Sequence, residues 1–151
     1  MTESREVSEE EYLRLMLYIP DKIRKCIDAL ASDHFSDPDM KPYFVSYITR
    51  LHALDGATQK DLKAVIPFDK SRISVVIHQL IDKGYVYNDG EGRNSSLHLT
   101  EKGEAAYPSC CSFLQRLSEE LFRISPCDPK VRQANIDFDA HMDRLLEKYR
   151  Q

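Results

Sequence analysis

The stretch ATQKDLKAVIPFDKSRISVVIHQLIDKGYVYNDGEGRNSSLHLTEKG, residues 57–103, decides the fold. Thr58 followed by Asp61 has the form of a capping box, in which a hydroxyl and a carboxylate cover the free N–H groups of a helix start. Leu62, Val65 and Ile66 give that helix an apolar face, and Pro67, with no N–H to donate, ends it. Asp69 is a second N-cap, ahead of a helix from Lys70 to Lys83. In that helix Ile73, Val76, Ile77, Leu80 and Ile81 form a stripe at helical spacing, which turns Ser71, Ser74, Val75, His78 and Asp82 away from the core. Gly84 is a natural stop. Tyr85–Tyr87 and Ser96–Leu99 read as strands joined by an Asn88-Asp89-Gly90 turn, with Gly92 adding freedom at the tip. Helix, turn, helix and hairpin in that order make a winged helix-turn-helix. Such a unit sends one helix into the major groove of DNA and its hairpin to the flanking backbone or minor groove.

The rest of the chain is helical in pattern. Tyr12, Met16, Ile19, Ile23, Ile27 and Leu30 form an apolar stripe over a first helix, Glu9 to Ala31, which Pro20 is expected to kink or split. Ser36-Asp37-Pro38-Asp39 is a loop, and a second helix runs from about Pro42 to Leu54. After the wing, Thr100 caps a helix expected to continue to about Arg123, bent at Pro108. Asp128-Pro129 is a cap followed by proline at the first helical position, and the last helix carries Val131, Phe138, Met142, Leu145 and Tyr149 on one side. The expected fold is mostly α with a small β wing, one domain over residues 1–151. Residues 57–103 are the winged helix-turn-helix; 9–54 and 104–150 are a helical region for dimerisation. Neither long terminal helix can bury its stripe against so small a winged helix, and a two-fold partner solves that problem.

Composition sets bounds. The net charge is −4, unusual for a nucleic-acid binder, but residues 60–93 hold six cations against five acids. DNA affinity must therefore come from the placement of a few cations, and it should be strongly salt-dependent. No apolar run approaches the roughly 20 residues of a membrane helix, and the acidic MTESREVSEEEY start resembles no targeting signal. The expectation is a cytoplasmic protein without membrane contact. Its cysteines, Cys26, Cys110, Cys111 and Cys127, fall in no C-x-x-C pattern and should stay reduced. The histidines show no metal-ligand spacing. No phosphate loop, dinucleotide fingerprint or nucleophile elbow is present, so neither a cofactor nor an enzyme is expected.

Four short motifs carry a resemblance: Asp69-Lys70-Ser71 opening the second helix of the unit, Leu80 through Val86, the wing tip Glu91-Gly92-Arg93, and Leu99-Thr100-Glu101-Lys102-Gly103. In this order and spacing they resemble the MarR family of bacterial and archaeal transcription regulators. The wing departs from the family's usual acid followed by two arginines, and Pro20 sits in a helix that is usually uninterrupted. The resemblance implies a homodimeric regulator, a repressor on inverted-repeat operator DNA, relieved by a small-molecule effector. The DNA-contacting residues would be Lys60, Lys70, Ser71, Arg72, Ser74, Val75, His78 and, toward the minor groove, Arg93. Hydroxyls bond either base type, Val75 suits a thymine methyl, and Arg72 suits a guanine or a phosphate. The resemblance also implies a ligand pocket between dimer body and winged helix, with Tyr18, Tyr43, Tyr47 and His52 as candidate lining.

Two other readings stay open. Peroxide-sensing members of the family carry a reactive cysteine early in the first helix, where this chain has Arg14, with Cys26 further on. Zinc-sensing members place histidines about where Cys110 and Cys111 occur, and thiolates suit a soft metal. A redox or metal sensor switching through Cys26, Cys110, Cys111 or Cys127 is therefore one alternative, against which stands the ordinary burial of cysteine in cores. The other is a winged helix used for protein–protein contact.

Overall fold

The computed structural model describes residues 6–90, 95–123 and 128–150. In chain order it places α1 (Glu9–His34), α2 (Phe44–Ala53), α3 (Gln59–Val65), α4 (Lys70–Asp82), β1 (Val86–Asn88), β2 (Leu97–Leu99), α5 (Glu101–Arg116) and α6 (Pro129–Tyr149). They divide into two compact units, Met1–Leu114 and Gln115–Gln151.

In the first unit the local chemistry sets the boundaries. The Thr58 hydroxyl accepts from the Asp61 N–H and the Asp61 carboxylate accepts from the Thr58 N–H, so the capping box ahead of α3 is complete. Ile66 is extended (φ −109, ψ 122), the conformation a residue before proline prefers. Asp69 caps α4 by accepting from the Arg72 N–H at 2.8 Å. At the far end Gly84 takes φ +82, and the N–H groups of Gly84 and Tyr85 reach back to Ile81 and Leu80. That pair of bonds is a Schellman close, and its left-handed residue favours glycine.

β1 and β2 pair antiparallel, with Val86 opposite Leu99, Tyr87 opposite His98 and Asn88 opposite Leu97. The strand expected at Tyr85–Tyr87 begins one residue later, because the Tyr85 N–H belongs to the helix close. Ala57 bridges Leu97 on the other side of β2, tying the start of the helix-turn-helix to the wing.

Ile73, Val76, Ile77 and Leu80 are buried, and α4 packs on α3 and β1. Full burial of a side chain of this size stabilises by roughly 1.5–3 kcal/mol before entropy is counted. The sequence stripes are narrower than expected: Val65 and Ile81, expected in the core, sit at its edge and are exposed. Phe44, Tyr47, Ile48 and Leu51 carry the core into α2, and Cys110 and Phe113 carry it into α5.

The loop between α1 and α2 is pinned to the wing base. The Tyr85 hydroxyl donates to Asp37, Lys102 Nζ lies 3.6 Å from the same carboxylate and 4.3 Å from the Tyr85 ring centroid, and Lys83 pairs with Asp39 at 3.2 Å. The Tyr85 bond, foremost, lowers the Asp37 pKa.

Of the kink or split expected at Pro20, the split does not occur: α1 runs as one helix through Pro20 and continues a turn beyond Ala31 to His34. The lost N–H costs one hydrogen bond of a long ladder, which the flanking turns can hold. Pro108 likewise sits inside α5. α2 starts at Phe44, with Pro42 in the turn before it.

The second unit contains the end of α5, a π-helical turn over Leu117–Phe122, and α6. The regular helix expected to reach Arg123 therefore ends at Arg116, and Arg123 closes the wide turn at φ 50. Asp128 caps α6, accepting from the Lys130 and Val131 N–H groups at 3.0 and 3.4 Å, with Pro129 in the first turn. No residue of α6 is buried. No helix among the described residues is long and apolar enough to cross a membrane.

Candidate nucleic-acid interface

With its apolar stripe docked inward, α4 shows Lys70, Ser71, Arg72, Val75 and His78 to solvent, while Ser74 is half-buried. Spacing makes this a single face: 71, 75 and 78 lie about one helical turn apart. His78 Nδ1 is 2.7 Å from the Ser74 carbonyl oxygen, which turns the ring back along its own helix. Lys60 is exposed in the first turn of α3. Seven of the eight sequence candidates thus lie on the helix-turn-helix. Arg93, the eighth, lies outside the described residues.

Sequence reasoning missed two residues here. One is Phe68, exposed in the turn, whose ring lies 4.5 Å from the Arg72 guanidinium carbon. An aromatic beside a proline in a turn otherwise polar was the available signal. The other is His98 of β2. Its Nδ1 lies 2.7 Å from Asp55 Oδ1, and its Nε2 is 3.1 Å from Asp89 Oδ2, within ion-pair reach though off the line of a hydrogen bond. The ring stacks on Tyr87 at 5.1 Å. His98 therefore ties the base of the wing to the loop before α3. No local pattern reveals it, because Asp55 is 43 residues away.

The hydrogen bond to Asp55, aided by the charges of Asp55 and Asp89, holds the His98 pKa above its ordinary 6.5, against the opposing effect of burial. A raised value means that protonated His98 stabilises the fold. That contribution is complete below 6.5 and is lost as pH rises through the raised value. His98→Gln is expected to lower the melting temperature in mildly acidic buffer, with the gap to wild type closing in alkaline buffer. A gap independent of pH in thermal melts would show that the charge on His98 does not hold the wing.

The four pocket candidates do not converge. Tyr18 is exposed on α1. The Tyr43 hydroxyl is bonded to Gln79 Oε1 at 3.0 Å. Tyr47 is in the core with a hydroxyl that has no hydrogen-bond partner among the described residues, and burial pushes its pKa up while the nearby Arg72 charge pulls it down. His52 stacks on Tyr107 at 3.6 Å and meets Glu104 Oε2 at 3.0 Å. A shallow concavity of about 370 Å³ is lined by Leu54, Asp55, Gly56, Ala57, Asp61 and Ala64, and by none of those four.

The described cysteines fall at two places, Cys26 on α1 and the adjacent Cys110 and Cys111 on α5. Cys26 is exposed on α1, Cys111 is half-buried, and its thiol bonds to Tyr107 and raises that phenol's pKa. Cys110 is fully buried, and burial, with Cys111 beside it, pushes its thiol up to about 12. That keeps Cys110 protonated at neutral pH and out of thiolate chemistry. Cys127 lies outside the described residues. Among the described residues no three His, Cys, Asp or Glu side chains converge as metal ligands.

No family model and no curated relative matches the chain. Solved structures do. A MarR transcriptional regulator from Methanosarcina mazei Go1 is 22% identical, with a TM-score of 0.65 over 93% of each chain. The transcriptional regulator SlyA is 18% identical, with a TM-score of 0.68 over 88% of this chain and 94% of its own. Staphylococcus aureus MarR in complex with salicylate and kanamycin is 15% identical, with a TM-score of 0.64 over 93% of each chain. The chain has the winged helix-turn-helix fold of the MarR regulators.

Proposed function

We propose that the chain is a DNA-binding transcriptional repressor that works as a homodimer on operator DNA of two-fold symmetry. The observation that carries this reading is the outward face of α4. Its cation, hydroxyl and apolar groups stand clear of the core, while the opposite face is fully committed to α3 and β1. Ser71, Arg72, Ser74, Val75 and His78 face the major groove, Lys60 and Lys70 take phosphates, and Arg93 of the wing reaches the adjacent minor groove, whose negative potential favours a cation.

Dimerisation follows from what the single chain leaves uncovered. Leu13 and Leu17 of α1 are 59% and 75% exposed, and Phe138, Leu146 and Tyr149 of α6 are 60%, 63% and 70% exposed. So much apolar surface on two long helices is a cost that a second copy removes. Sedimentation at micromolar concentration is expected to show two chains per particle, and two chains per short duplex once DNA is added at low salt. A monomer that leaves DNA free would end this reading.

A small molecule that prefers one separation of the two α4 helices would shift the dimer away from the DNA-competent shape. The salicylate and kanamycin complex of the Staphylococcus aureus protein supports an effector of that kind.

A further inference from the structure

Arg72 is held in position before any DNA is present. Its guanidinium carbon lies 4.5 Å from the Phe68 ring centroid, and its backbone is fixed by the N–H bond to the Asp69 cap. Phe68 is itself fixed, by Pro67 before it and by its own N–H donating to the Ile66 carbonyl at 2.8 Å. The ring is 42% exposed, so it is not a core residue that happens to touch an arginine. Among the described residues no carboxylate or carbonyl accepts from the Arg72 side chain. Lys83 and Lys102, by contrast, are engaged by Asp39 and Asp37.

A cation over an aromatic face is held by the ring quadrupole and uses none of its N–H donors. The guanidinium fork thus stays open while its position is restricted. A phosphate oxygen accepts an arginine from many directions and gains little from such restriction. The O6 and N7 atoms of guanine present two acceptors side by side and require the fork in one orientation. An anchored side chain also loses less freedom on binding.

We infer that Phe68 is a positioning residue that aims Arg72 at the O6/N7 edge of a guanine in the major groove. Arg72 then reads a base, and its neighbour Lys70 supplies charge to the backbone. This rests on the proposal that α4 enters the groove, and it adds the identity of one base in each half-site.

Selection from a random duplex pool at fixed salt, followed by binding titrations of the selected duplex over a range of salt, tests it, using wild type, Arg72→Gln, Phe68→Leu and Phe68→Trp, each first shown to melt as wild type does. Wild type should enrich guanine at one position of each half-site. Arg72→Gln should abolish that preference, a loss of roughly five- to a hundredfold in discrimination. Phe68→Leu should weaken it by about two- to fivefold at that position alone, with other positions and the salt dependence unchanged. Phe68→Trp should keep it, since indole binds cations at least as well. Three results overturn the inference: an unchanged guanine preference in Phe68→Leu, a loss of that preference in Phe68→Trp, or an Arg72→Gln protein weakened equally on all sequences with a flatter salt dependence. A wild type that enriches no sequence would remove the DNA-reading proposal and this inference together. A wild type that enriches sites without that guanine would remove this inference alone.

Discussion

Gly103→Ala is expected to be among the most damaging single-methyl changes in the chain. A Cβ at Gly103 would sit 2.2 Å from the Tyr85 carbonyl oxygen and 3.1–3.2 Å from Leu99 side-chain atoms. The first contact is with backbone, which no rotamer change relieves. It is also backbone that cannot easily move: the Tyr85 carbonyl accepts from the Thr100 N–H at 3.0 Å, and the Thr100 hydroxyl donates to the Gly84 carbonyl and accepts from the Gly103 N–H. The start of α5 is thereby clamped onto the base of β1. Alanine's better helix propensity offsets only about 1 kcal/mol. Forcing α5 off the strand should cost roughly 2–3 kcal/mol net, a fall in melting temperature of roughly 5–10 °C. Calorimetry or circular dichroism would read it. A Gly103→Ala protein as stable as wild type would show that the clamp is loose.

The second large effect concerns binding without stability. Lys70 is the first residue of α4, at the positive end of the helix dipole, where a cation is mildly unfavourable. Removing it should leave the fold intact or slightly stabilised. In the proposed complex the same position would be an asset, since helix N–H groups and the ammonium would face the same phosphate. Lys70→Ala should weaken binding about tenfold on every sequence alike and flatten the log–log salt dependence by about two units, one per copy in the dimer. Binding titrations over a range of salt would show this. Unchanged affinity and unchanged slope would mean that α4 does not face the DNA backbone.

What was legible in the sequence was local. The Thr58–Asp61 box, the Asp69 cap and the Gly84 stop each depend on residues a few positions apart, and the four-residue core of the α4 stripe follows from spacing alone. Stripe edges were not legible, because whether Val65 or Ile81 is covered depends on what packs beside it. The π turn at Leu117–Phe122 was hidden for a related reason: leucines at 114, 117 and 121 suit a regular helix equally well. Contacts between distant residues carry no local signature, so His98 with Asp55 and Asp89, and Tyr85 with Asp37, were out of reach. Tyr47 shows the limit for the pocket candidates, since an aromatic at helical spacing reads the same whether it lines a cavity or, as here, is buried in the core.

In the proposed complex, two copies of α4 read DNA related by a two-fold axis. Sequencing the duplexes that wild-type protein retains from a random pool, at one fixed salt concentration, tests this arrangement most directly. The expected product is an inverted repeat whose half-site centres lie about one helical turn, roughly 34–36 Å, apart. Retained duplexes without two-fold symmetry, or no enrichment over the starting pool, would contradict that arrangement.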